Sequence, residues 1–267
     1  MTLAEIWRSD VLRTHHAPRR LTAVCVLTAL LAGCAPEASE VPTAARVALI
    51  NHSSPADDYF NGHFCGAALV KPDIVATASH CIEGKRAELI DVVVGADNLC
   101  NNAPVHGERL PVVEVVTQAP PLHEMSLLRL KRPSSARPLA LSDPGTASDK
   151  LFAVGWGRLS TAGVSPCEIK GSEQVQIDPG HCADYFRALG LDETDRPFFT
   201  CAEPAESAKH NTCQGDSGGP ILRMAADAWE LHGITLGGSS CSVEASGIYI
   251  SSRSIADALE AGFSNAR

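Results

Sequence analysis

The chain has 267 residues, 45% of them apolar and 20% charged, and its 22 Lys or Arg against 31 Asp or Glu give a net charge of −9. That balance belongs to a globular chain long enough to bury a large core, and it excludes a disordered or low-complexity protein. An acidic chain without a basic run also excludes a nucleic-acid partner, because phosphate binding needs clustered positive charge.

The first element is an address. Residues 21–33 read L-T-A-V-C-V-L-T-A-L-L-A-G behind Arg19 and Arg20. The run is too short for a membrane-spanning helix, which needs about 20 residues. A basic region, an apolar region and small residues at a cleavage point fit a secretory signal. The end of the run, Leu31-Ala32-Gly33-Cys34, resembles the bacterial lipoprotein signal, with an ordinary signal peptide as the alternative. The resemblance implies removal of residues 1–33, lipidation of Cys34, and a membrane partner through that lipid. Residues 34–46 then read as a flexible tether.

From residue 47 onward, short β-branched and apolar runs recur between Gly, Pro, Asn and Asp. They fall at 47–50, 64–70, 73–78, 89–95, 112–116, 126–130, 151–157, 175–177, 220–222, 229–236 and 247–250. Many short strands at this spacing predict an all-β barrel or sandwich. Two helical stretches interrupt them, one around 181–189 and one over 254–261 with Ser254 as its cap. The polar stretch 133–150, with its Ser and Pro, marks a change of barrel.

Eight cysteines follow the signal: Cys65, Cys81, Cys100, Cys167, Cys182, Cys201, Cys213 and Cys241. An even number behind an export signal points to disulfides in an oxidising compartment. The competing reading, a zinc site, lacks any C-x-x-C pair. No metal or organic cofactor is implied.

Two segments carry chemistry. One is C-G-A-A-L-V-K-P-D-I-V-A-T-A-S-H-C (65–81), the other C-Q-G-D-S-G-G-P (213–220). A serine hydroxyl is a poor nucleophile until a base takes its proton during attack. His80 is the suitably placed base, since imidazole titrates near neutrality. Gly215, Gly218 and Gly219 around Ser217 permit a tight turn, which can aim the amides of Gly215 and Ser217 at a developing oxyanion.

These segments, in this order, together with G-W-G (155–157) and C-S-V-E-A-S-G-I-Y-I (241–250), resemble the trypsin/chymotrypsin-like serine proteases over about residues 47–263. The resemblance implies two six-stranded antiparallel β-barrels (about 47–140 and 141–252) and a C-terminal helix (about 254–262). It also implies a peptidase acting on polypeptides through an acyl-enzyme, open to protein inhibitors. His80 and Ser217 would be triad members, Gly215 and Ser217 the oxyanion hole. The implied disulfides are Cys65–Cys81, Cys182–Cys201 and Cys213–Cys241, which leaves Cys100–Cys167 without a family precedent.

The chain also departs from the family. Where the pattern D-I-A-L-L-x-L places the triad acid, this chain has E-M-S-L-L-R-L, so Glu124 stands in for Asp. Its extra methylene moves the carboxylate by about 1.5 Å unless the backbone retreats. T-A-A-H-C is T-A-S-H-C here, and S-W-G is Thr235-Leu236-Gly237. At the pocket floor Asn211 replaces the Asp of trypsin-like enzymes, predicting little preference for basic residues. Gly237 and Gly247 at the wall positions predict an open pocket. No I-V-G-G terminus exists to pair with Asp216, and Arg46-Val47 reads better as the start of the first strand. Asp216 therefore has another partner, or the pocket forms on substrate binding, or the site is incompletely formed. These departures keep alive a second reading, a catalytically weak or inactive homologue serving as an exported binding lipoprotein.

Overall fold

The computed structural model describes residues 36–100, 107–118, 124–143, 150–188, 190–191 and 194–262. The signal segment and Cys34 lie outside the described residues.

Six antiparallel strands close the first barrel: β1 (Val47–Asn51), β2 (His63–Lys71), β3 (Ile74–Ala78), β4 (Ile90–Val94), β5 (Glu108–Thr117) and β6 (Met125–Leu130), in the order β1-β2-β3-β6-β5-β4. The second comprises β8 (Leu151–Gly155), β9 (Lys170–Ile177), β10 (Phe199–Pro204), β11 (Pro220–Ala225), β12 (Ala228–Gly238) and β13 (Gly247–Ser251). Its order is β11-β8-β9-β10-β13-β12, and a β11–β12 pairing closes it. The short β7 (Ala140–Leu141) adds to β12 in parallel. Closure removes the sheet edges that would otherwise invite pairing with other chains.

The continuous apolar runs of the sequence become strands buried on both faces. β3, β4, β8 and β13 are buried at every residue, whereas β5 alternates between buried and open positions. A strand covered on both sides has no polar face to maintain, so its pattern loses the period of two. Full burial of a Leu or Ile such as Leu49 or Ile50 contributes about 1.5–3 kcal/mol relative to exposure. The run 199–204, with its Thr, Cys, Glu and Pro, gives no such signal, so the apolar pattern does not predict β10.

Residues 36–46 are not a free tether. Two short 3-10 turns (Ala38–Glu40 and Thr43–Ala45) bring Val41, Ala44 and Ala45 into the core, at 2%, 0% and 1% exposure. Small side chains allow that close packing, Arg46 pairs with Asp97, and the Gly95 amide donates to the Arg46 carbonyl. The helix α1 (Ala183–Ala188) falls within its expected stretch. The terminal helix α2 (Ser252–Ala261) starts earlier than expected: Ser251, not Ser254, is the cap, and its side chain accepts from the Ser254 amide.

Four disulfides join Cys65–Cys81, Cys100–Cys167, Cys182–Cys201 and Cys213–Cys241. Cys100–Cys167 ties the segment after β4 to the approach to β9, so it links the two barrels. It is flanked by backbone bonds from Leu99 to Cys167 and from Ile169 to Asp97.

Candidate active site

A cleft of about 540 Å³ opens where the barrels meet, with His80 and Glu124 from the first and Ser217, Thr235 and Gly237 from the second among its lining residues. His80 sits in a 3-10 turn (Ser79–Cys81) directly after β3. Glu124 directly precedes β6, the neighbour of β3, and the Ser79 amide donates to the Glu124 carbonyl at 2.8 Å. Adjacent strand ends thus carry the imidazole and the carboxyl to one lip of the cleft.

The Ser217 turn is fixed from both barrels. The Gly66 amide on β2 donates to the Ser217 carbonyl at 2.8 Å, and the Gly218 amide donates to the Thr235 carbonyl at 2.7 Å. Gly218 has φ +78°, in the left-handed region, and a Cβ there would overlap the Thr77 hydroxyl and the Gly66 carbonyl. Only glycine combines that conformation with that approach. Among the described residues, the amides of Gly215 and Ser217 donate to no protein acceptor. They remain available for an oxyanion.

Asp216, beside the nucleophile, has its partners in the backbone. Its Oδ1 accepts from the Gly157 amide at 2.8 Å and its Oδ2 from the Cys213 amide at 2.9 Å. The G-W-G segment has a steric reason: a Cβ on Gly155 or Gly157 would overlap the Asp216 carboxylate. Burial pushes the Asp216 carboxyl up to about 6, partly offset by those two hydrogen bonds. A cavity beside it measures about 10 Å³, room for a single water.

Burial lowers the His80 pKa from its ordinary value, opposed by the negative charges of Glu124 and Glu83. The imidazole is therefore neutral, able to accept a proton, at neutral pH. No hydrogen bond joins His80 to Ser217 among the described residues; such bonds are often long before substrate binds.

The pocket residues separate into two groups. Thr235 and Gly237 line the cleft, together with Thr161, Thr212, Gln214 and Leu236. Asn211 and Gly247 lie behind its wall. Asn211 is 2% exposed, and its amide nitrogen donates to the carbonyls of Ser242 and Ala245 at 2.9 and 2.8 Å. Gly247 leaves room for Tyr249, whose hydroxyl lies 3.5 Å from that of Thr212. Thr212, next to the expected Asn211, is thus the side chain facing the cleft. Only the tertiary partners of Asn211 could reveal that exchange.

Sequence reasoning missed His63. It stacks edge-on against Trp156, and the His63 Nε2 and Trp156 Nε1 are both buried without a hydrogen-bond partner. Burial lowers the His63 pKa to about 4, so the ring is neutral beneath Gly215. One metal-like cluster occurs among the described residues, Cys65, His80 and Cys81. The Cys65–Cys81 bond consumes both sulfurs as ligands.

Two six-stranded antiparallel barrels and a C-terminal helix, meeting at a cleft of this kind, define the trypsin-like fold. The trypsin family model matches residues 37–259, and the chain belongs to the trypsin family. The chain is 27% identical to ovochymase-2 of Mus musculus over 67% of its own length and 31% of that protein. It is 28% identical to the serine proteinase stubble of Drosophila melanogaster, over 67% of this chain and 24% of that one. A further match, 28% identical, is the atrial natriuretic peptide-converting enzyme of Homo sapiens, over 68% of this chain and 18% of that one. The chain thus spans a third or less of the length of these relatives.

Proposed function

We propose that the protein is a serine endopeptidase that hydrolyses peptide bonds through an acyl-enzyme. The observation that carries this reading is the shared cleft of His80, Glu124 and Ser217, which come from three distant segments of the chain. Ser217 Oγ attacks the scissile carbonyl carbon while His80 takes its proton. The electron pair moves to the carbonyl oxygen, which the amides of Gly215 and Ser217 receive. His80 then returns the proton to the leaving amine, and water repeats the sequence to free the acid. Glu124 lies close enough for its charge to raise the proton affinity of His80, which stabilises the imidazolium as it forms. Removing one oxyanion donor in such a site costs about 3 kcal/mol of transition-state stabilisation.

The substrate side chain entering the cleft is uncharged, because the Asn211 amide is committed to backbone carbonyls and Thr212 offers a neutral hydroxyl. We further propose that the protein is exported, held at a bacterial membrane by lipid on Cys34, and acts on polypeptides. The four disulfides fit an oxidising compartment. No helix among the described residues is long and apolar enough to cross a membrane.

A second reading, a binding lipoprotein with little or no turnover, draws on the unformed His80–Ser217 hydrogen bond and on glutamate as the third member. Labelling with a fluorophosphonate probe decides between them. The expected result is rapid modification of Ser217, abolished in Ser217→Ala and slowed at least a hundredfold in His80→Ala. An unreactive Ser217 in the folded wild-type protein overturns the peptidase reading.

A further inference from the structure

Three hydroxyls form a continuous chain beside the cleft. Ser126 Oγ lies 2.9 Å from Ser79 Oγ and 2.9 Å from Thr117 Oγ1. Ser126 on β6 is paired with Thr77 on β3 and with Thr117 on β5. Cross-strand partners of this kind share one face of a sheet. The Thr77 hydroxyl donates to the Gly66 carbonyl and abuts Gly218, so this is the face turned toward the Ser217 turn.

The chain connects the two segments that carry His80 and Glu124. Ser79 immediately precedes His80, and Ser126 follows Glu124 by two residues. Both serines are departures noted above, in T-A-S-H-C and in E-M-S-L-L, and in the folded protein the two departures touch. The third departure, Glu124, lies against the same contact through the Ser79 amide. Three hydroxyls carry three protons but share two hydrogen bonds, so one end has a proton left to donate outward. Ser126 is fully buried and can only pass a bond along, whereas Thr117 is exposed and can accept from water. The negative charge of Glu124, which acts on His80 next to Ser79, favours the direction Thr117 to Ser126 to Ser79.

We propose that Thr117, Ser126 and Ser79 are positioning residues whose hydroxyl chain ties the Glu124 segment to the His80 turn, compensating for the extra methylene of the glutamate. The proposal rests on the peptidase reading. They touch no substrate and act through Glu124.

The test combines ester-hydrolysis kinetics with the titration of His80 followed by NMR. Ser79→Ala and Ser126→Ala are each expected to lower kcat about tenfold with KM unchanged. Their double variant is expected to be no slower than either alone, since one chain is broken in each case. The His80 pKa is expected to fall in each, because the carboxylate that raises it is less well held. Ser79→Thr, which keeps the hydroxyl, should behave as wild type, and Ser79→Ala should add nothing in a Glu124→Ala background. Should the buried Ser126→Ala variant fail to fold, Thr117→Val at the exposed end supplies the same readout with a change of about threefold. Variants that lose thermal stability but keep kcat and the His80 titration overturn the proposal. If wild-type Ser217 is unreactive, the peptidase reading falls by itself. The histidine titration then still decides the fate of the hydroxyl chain.

Discussion

Gly157→Ala perturbs the site at its narrowest contact. The new Cβ would overlap both carboxylate oxygens of Asp216. The carboxylate cannot retreat without leaving the amides of Gly157 and Cys213, its two donors. Hydrogen bonds to a charged group contribute about 1.5–3 kcal/mol each, so losing both would cost about 3–6 kcal/mol. That is a large share of the roughly 5–15 kcal/mol that keeps a domain folded. The turn therefore shifts instead, and Ser217, the next residue, shifts with it. A displacement of about 1 Å at a reacting group costs about a hundredfold in rate. The expected outcome is a fluorophosphonate labelling rate about a hundredfold below wild type, with a lowered Tm. Gly84→Ala is the control: its φ is +70° but nothing lies within 4 Å, so it should lower stability slightly and leave labelling unchanged. If Gly157→Ala labels and melts like wild type, the Asp216 contacts do not set the nucleophile turn.

Acid should weaken the fold. His63 and His232 are both lowered to about 4, chiefly by burial. The unfolded chain binds their protons first, so their stabilising contribution is complete above pH 6.5 and is lost as pH falls to 4, up to about 3 kcal/mol each. Asp216, raised to about 6, works in the opposite sense and adds up to about 3 kcal/mol as pH falls from 6 to 4. The net loss of about 3 kcal/mol should appear in urea unfolding between those limits, and stability that rises on acidification would contradict it. Replacing Cys100 and Cys167 together by Ser should cost about 4 kcal/mol, because their sequence separation of 67 closes a long loop. An unchanged urea midpoint would show that the barrels are held without that link. Asn211→Asp should not confer cleavage after Lys or Arg. Its carboxylate would face the Ser242 and Ala245 carbonyls, costing about 1–3 kcal/mol, and a peptide-library profile shifted to basic residues would refute this.

The residue pattern was enough for the all-β class and for the two ends of the chemistry, and the family resemblance narrowed that class to paired barrels. The runs at 47–50, 73–78 and 247–250 became strands because their apolar content suits burial on both faces. T-A-S-H-C and G-D-S-G-G-P were legible because each encodes a local backbone turn in contiguous residues. The cap of the last helix lies three residues before the expected Ser254, since Ser251, Ser252 and Ser254 offer similar local chemistry and packing selects among them.

The remainder depended on contacts between segments far apart in the chain. Asp216 found two backbone amides in place of a freed terminus, one of them from a glycine 59 residues earlier in the chain. Asn211 turned from the cleft to the carbonyls of a distant loop, and Ser79 met Ser126 across paired strands. The segment 41–45, polar in its surroundings, was drawn into the core. In each case the deciding partner lies far away in sequence, and a side chain's hydrogen bonds and burial depend on which surfaces folding brings within a few ångströms.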